Sequence, residues 1–203
     1  MRKKSHISLA RHIVCNVEPK AFEKHKKAFY VGSILPDCTP SFLTKRHEIT
    51  GTFDEVVNRI EKLTVGYNGG EEFSTLYFTR LGELIHYIAD YFTFPHNKEY
   101  DGTLSEHCVY EGQLKHSLRA YIKDIDKAVI ASPCNFSRIR HQFTSVEEIC
   151  LFIKNEHRRY INRGIHSVEE DCKYIVGICS SIAKAILYLC QEAISKRSSF
   201  CIA

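Results

Sequence analysis

The run Leu84-Ile85-His86-Tyr87-Ile88-Ala89-Asp90-Tyr91-Phe92 constrains this chain more than any other segment. It is apolar at nearly every position, so as a helix it has to be wrapped by protein on all sides. Yet it carries a histidine and an aspartate four residues apart, which a helix stacks one above the other on a single face. Burying an ionisable pair there is costly unless something compensates both groups. A mutual core hydrogen bond is one compensation. A metal ion is another, because neutral imidazole and carboxylate are good zinc ligands.

The surrounding sequence favours the metal. Pro95 ends the helix and lets His96 turn back toward a neighbouring site, and His107 and Glu111 then repeat the i, i+4 spacing on the next helix. A helical pair fills two of the four positions zinc usually offers, so other segments have to supply the rest. The candidates are His6 at the first helix, Asp37 in a proline-bounded loop, and His47 shortly after it. His12, His25, His116, His141, His157 and His166 fall outside the pattern and read as structural or exposed.

The fold that carries these residues reads as all-α. Five prolines and ten glycines punctuate long segments of helical period, and no alternating run is long enough for a strand. Helices are predicted over Ile7 to Val17, Pro19 to about Ile34, from Thr52 onward, Glu71 to Phe92 and Leu104 to Ala128. Thr52 with Glu55 reads as a capping box for the third of these. A further helix is capped by Thr144 or Ser145, and a last long one opens on the Ser167/Glu170 capping box and ends near Ser195. This makes one domain over residues 1–196, a bundle of about seven helices, with a short loose tail at 197–203.

Composition narrows the function. A net charge of +4 on 203 residues is too small and too evenly spread for nucleic acid to be an expected partner. The runs Arg2-Lys3-Lys4 and Lys24 to Lys27 read as solvated surface, with at most a weak pull toward anionic headgroups or phosphate substrates. Nine cysteines, an odd number with no CxxC pair, argue against a disulfide framework and a thiolate zinc knuckle. Most are expected to be small buried hydrophobes. The apolar segment after the basic start is broken by Arg11, His12 and Asn16, so no signal peptide is read and a cytoplasmic protein is expected.

The ordered set His86-xxx-Asp90-xxxxx-His96 followed by His107-xxx-Glu111 resembles the bacterial zinc-dependent phospholipase C family. It is similar, more distantly, to the S1/P1-type nucleases that share an all-helical trinuclear zinc architecture. The N-terminal pieces fall in the same order: His6-Ile7-Ser8-Leu9-Ala10, then Gly32-Ser33-Ile34-Leu35-Pro36-Asp37, then His47. The resemblance implies two to three zinc ions. One would be held by Asp37, His47, His86 and Asp90, a second by His96, His107 and Glu111, and a third by His6 with Asp90 as a bridge. In the family an N-terminal tryptophan completes the third site through its amine and carbonyl. This chain has no tryptophan, but Met1 stands five residues before His6 and is expected to form that chelate.

The implied activity is phosphodiester hydrolysis. Clustered zinc ions neutralise the diester and lower the pKa of a bound water, with Asp37 as general base. A phospholipid substrate and transient contact with a membrane surface are expected. Phe42, Tyr67 and Tyr110 are the aromatic candidates for headgroup binding, while Cys38 stands where the family can carry an aromatic. The rival readings are a nuclease-like phosphoesterase on the same zincs and a non-catalytic helical protein with structural zinc. A di-iron carboxylate bundle lacks its Glu-x-x-His repeats, an adjacent His-Asp pair is absent, and His47-Glu48 leads to Gly51 rather than to a zinc-protease histidine.

Overall fold

Ser74 accepts a hydrogen bond from the Tyr77 amide (3.1 Å) and so caps α5, Thr75–Tyr91, the helix around which the rest is arranged. Every residue from Leu84 to Tyr91 is buried, as the apolar run requires. The computed structural model describes residues 1–38, 47–70, 72–131, 143–164 and 166–200, and the regular structure among these is all helical. The elements are α1 Lys3–Asn16, α2 Pro19–Phe22, α3 Lys26–Gly32, a 3₁₀ turn Leu35–Cys38 and α4 Ile49–Leu63 before α5. A second 3₁₀ turn Phe94–His96, α6 Leu104–Ala131, α7 Val146–Asn162 and α8 Val168–Phe200 follow it.

α5 packs against α3, α4 and α8, and α6 lies along both α1 and α8. The closest of these approaches is α3 on α5, and glycine makes it. A Cβ on Gly32 would overlap the Thr79 carbonyl, and one on Gly82 would overlap the Phe29 carbonyl. α8 is long and apolar enough to cross a membrane by length and composition. Most of that apolar surface is buried here against α1, α4, α5, α6 and α7.

Several boundaries differ from the sequence expectation, each for a visible reason. The segment from Pro19 to Ile34 is two helices, not one. Phe22 and Phe29 rings meet at 4.9 Å, whereas a rise of about 1.5 Å per residue would hold them roughly 10 Å apart on one straight helix. Thr52 is no cap: α4 begins at Ile49, the Thr52 hydroxyl returns to the Glu48 carbonyl (2.8 Å), and Glu55 pairs with Arg59. The Ser167 hydroxyl does cap α8, accepting from the Glu170 amide (3.3 Å), but the Glu170 carboxylate turns to Arg163 and Lys173. α8 then continues past Lys196 to Phe200.

Thr103 and Glu106 form a reciprocal capping box at α6, and Ser145 caps α7. The cysteines divide: Cys172, Cys179 and Cys190 are buried on α8 as expected, while Cys15, Cys38 and Cys108 are exposed thiols.

Candidate metal centre

Asp90 is the hub of the site. It is fully buried on α5, and five groups, His86 of the same helix and four from elsewhere in the chain, close on its two carboxylate oxygens. The Met1 ammonium donates to Oδ1 at 2.7 Å, and His6 Nε2 on α1 lies 3.4 Å from the same oxygen. On the other oxygen, Oδ2, converge His47 Nδ1 at 3.0 Å, His86 Nε2 at 3.3 Å and His96 Nδ1 at 3.7 Å. Asp37, on the first 3₁₀ turn, reaches His86 Nε2 at 3.5 Å. His107 Nε2 and His96 Nε2 both lie against Glu111 Oε1, at 3.4 and 3.2 Å.

All eight side chains expected as ligands therefore fall into one continuous cluster. It contains three groups able to share an ion: His6, Asp37 and His86; His47, His86 and Asp90; and His96, His107 and Glu111.

The hydrogen bonding inside the cluster fits a cation better than a closed polar network. His86 Nδ1 donates to the Ser33 carbonyl at 2.9 Å, which leaves its Nε2 lone pair directed inward. That nitrogen then faces His47 Nδ1 at 3.2 Å and two carboxylate oxygens. Lone pairs gathered at this range repel unless a proton or a metal ion lies among them. His6 Nε2 is buried with no hydrogen-bond partner, its ring stacked at 3.8 Å on His86. A buried nitrogen that makes no hydrogen bond is expensive, and its lone pair suits a metal ligand.

Electrostatics agree. Burial pushes the His6 imidazole down to about 3, helped by neighbouring His86, so it is neutral and able to ligate at neutral pH. Burial also favours the neutral forms of Asp90 and of the Met1 amine, but their mutual attraction prevails. The Met1 ammonium and the surrounding histidines hold Asp90 well below the carboxylate range, while Asp90 and Glu111 hold the amine above its usual value. Burial raises Asp37. The ammonium stands where a cation balances Asp90 and Glu111, 3.2 Å from the latter.

A brace outside the cluster holds its His96 and Glu111 side, and no motif in the sequence pointed to it. Asp171, buried on α8, accepts from the Phe94 amide (3.0 Å), the Tyr110 hydroxyl (2.9 Å) and the Tyr160 hydroxyl (2.7 Å). Phe94 opens the turn that presents His96, and Tyr110 precedes Glu111, so one carboxylate orients two candidate ligands. Asn97 ties the same turn to Tyr91, Thr93 and His157, and His166 stacks on Phe94 at 3.8 Å. Of the six histidines set aside as structural or exposed, two, His157 and His166, thus support the site, and His141 lies outside the described residues. His12 pairs with Asp126 and His25 with Thr75, away from it.

Of the aromatic headgroup candidates, Tyr67 and Tyr110 do not line the cleft. Tyr110 is engaged with Asp171, and Tyr67 is buried among Phe73 and Tyr77 with its hydroxyl on the Glu72 carbonyl. Phe42 lies outside the described residues. The cleft over the cluster, about 1020 Å³, is instead lined by Met1, Asp37, His47, His96, His107 and Glu111 on its floor and by basic side chains at its edge.

Searches of curated proteins and of solved structures return no match. A family model does: zinc-dependent phospholipase C matches residues 5–167, a stretch that holds every histidine and carboxylate of the cluster. Its all-helical fold and its zinc-type donor set agree with that match, and the chain belongs to the zinc-dependent phospholipase C family.

Proposed function

We propose that the protein is a phospholipase C-like hydrolase of phosphodiesters that works with two or three zinc ions. The observation that carries this reading is the convergence of imidazole, amine and carboxylate groups on buried Asp90, with His6 Nε2 buried 3.4 Å from it and making no hydrogen bond. In this reading Asp37, His47, His86 and Asp90 hold one ion, and His96, His107 and Glu111 a second. His6 and the Met1 amine hold a third, with Asp90 shared. When bound, zinc supplies Lewis acidity toward the diester and acidifies a bound water.

The chain's own residues supply the remainder. Asp37 lines the cleft and is raised by burial, which suits a carboxylate that takes a proton from the attacking water. Ser33 fixes the His86 ring through its carbonyl, and Asp171 holds the turn of His96, so the ligands are oriented before any ion arrives. The cleft opens to solvent on one side, which suits a diester displayed at a membrane surface.

The test is to purify the protein with a free N-terminus, count its zinc, and assay a chromogenic phosphocholine diester, phosphatidylcholine vesicles and single-stranded DNA. Zinc-dependent turnover of a diester is expected. Turnover that survives complete zinc removal sinks the mechanism, and DNA as the preferred substrate transfers the site to the nuclease-like reading. Bound zinc with no turnover on any substrate transfers it to the structural one.

A further inference from the structure

We propose that the substrate headgroup carries negative charge beyond the scissile diester, and that the enzyme meets it on an anionic membrane surface. This rests on the phosphodiesterase reading of the metal centre. Five cations edge the cleft: Arg2, Lys3 and Lys4 from the start of α1, Lys98 from the turn after His96, and Lys115 from α6. The run Arg2-Lys3-Lys4 is joined there by Lys98 and Lys115 from two other segments, and that meeting at one cavity is a product of the fold. Lys115 stands one helical turn beyond Glu111, on the same face.

Among the described residues no ion pair engages the four cleft lysines, so their charge faces the cavity uncompensated by a neighbouring carboxylate. Arg2 is anchored, donating to the Cys108 carbonyl at 2.6 Å across α6. The acidic residues lining the same cavity are Asp37, Glu48 and Glu111, and two of these belong to the metal cluster. Once zinc neutralises that pair, the cleft is strongly positive and focuses anions. A quaternary ammonium needs the opposite arrangement, a carboxylate with aromatic faces. Tyr67 and Tyr110, the described aromatic candidates for such a cage, are engaged elsewhere, which disfavours choline.

The occupant is a lipid surface and not a nucleic-acid strand. Leu104 lines the mouth of the cleft and is 79% exposed, with exposed Cys108 one turn later on the same face. An exposed leucine among unpaired lysines is the pattern of a surface that enters an anionic lipid interface. Strand binding uses aromatic platforms for the bases. Tyr100 lines the cleft, but its ring is packed against Phe94 and His107.

The experiment uses zinc-loaded full-length protein with vesicles of phosphatidylcholine alone and of phosphatidylcholine with phosphatidylinositol phosphate. Single-stranded DNA is the competing ligand. Co-sedimentation and headgroup release are expected to favour the anionic vesicles by about tenfold or more and to fall as salt is added. The double variant Lys98→Glu with Lys115→Glu should erase that preference while retaining its zinc content, and Leu104→Asp should weaken vesicle binding. Equal binding and turnover on the two vesicles overturns the inference while leaving the phosphodiesterase reading intact, and so does tighter binding of DNA than of either vesicle. Absence of turnover on every diester overturns both together.

Discussion

The amino group of Met1 and the Asp90 carboxylate lie 2.7 Å apart across 89 residues of sequence, both of them buried. The chain's own terminus is thereby placed among imidazoles and carboxylates, 2.9 Å from His96 Nε2. A free terminal amine is useful there because, once it loses its proton, it offers a nitrogen lone pair without a further side chain.

Acetylating that amine, or extending the chain ahead of it, should therefore remove one zinc from the protein and leave the His96, His107 and Glu111 group able to bind. Metal analysis of tagged and tag-free protein checks this. Identical stoichiometry in both would show that Met1 is no ligand.

The same pair sets a pH dependence. The Met1 amine is held above its ordinary value of 8.0, so zinc that uses it must expel a proton. Affinity at that position should rise by about tenfold per pH unit while the amine remains protonated. His6, pushed down to about 3, adds no proton release at neutral pH. In the metal-free protein the amine's contribution to stability is complete below pH 8.0 and is lost as pH rises through the raised value. The depressed Asp90 contributes above its ordinary 3.8, and this is lost as pH falls through its lowered value. Calorimetric zinc titrations in buffers of different ionisation enthalpy count the protons. A flat affinity between pH 6 and pH 8 would contradict the assignment.

His86→Ala should abolish both hydrolysis and zinc binding at the Asp37–His47–Asp90 end, because His86 belongs to two of the three donor groups. Full activity in that variant would reject the site as drawn.

Asp171→Asn keeps the shape of the brace but replaces one acceptor oxygen with a donor facing hydroxyl and amide donors. The expected cost is about 1–3 kcal/mol of stability. Zinc affinity at the His96, His107 and Glu111 group should fall roughly 10–100-fold, with the His86 side of the cluster less affected. Competition with a chelator, read ion by ion, separates this from a general loss of fold.

Gly82→Ala tests the close crossing of α3 and α5. The added methyl would meet the Phe29 carbonyl and the Ser33 amide, which are backbone and cannot swing aside. A loss of about 1–3 kcal/mol in thermal unfolding is expected. Zinc affinity should fall as well, since Ser33 carries the carbonyl that orients His86.

Two pairs of candidate donors were legible because helical spacing is rigid: His86 with Asp90, and His107 with Glu111, have to share a face wherever the helices lie. The all-α class was legible for a similar reason, from long periodic segments with few breakers. The break between α2 and α3 was not, because it serves the packing of Phe22, Phe29 and Phe78, a contact among three elements. Thr52 looked like a cap by pattern, but tertiary structure gave its hydroxyl a buried partner in Tyr91 at 2.7 Å.

Local spacing in the sequence thus determined that His86 with Asp90, and His107 with Glu111, share helix faces. The tertiary structure decided what those residues surround. It put the Met1 amine against Asp90, turned Tyr67 and Tyr110 away from the cleft, recruited Asp171 from α8 as a brace, and gathered lysines from three segments around one opening. Contacts between side chains on the same helix follow from its pitch, whereas contacts between helices depend on how each apolar face finds its partner, and no short-range pattern encodes that.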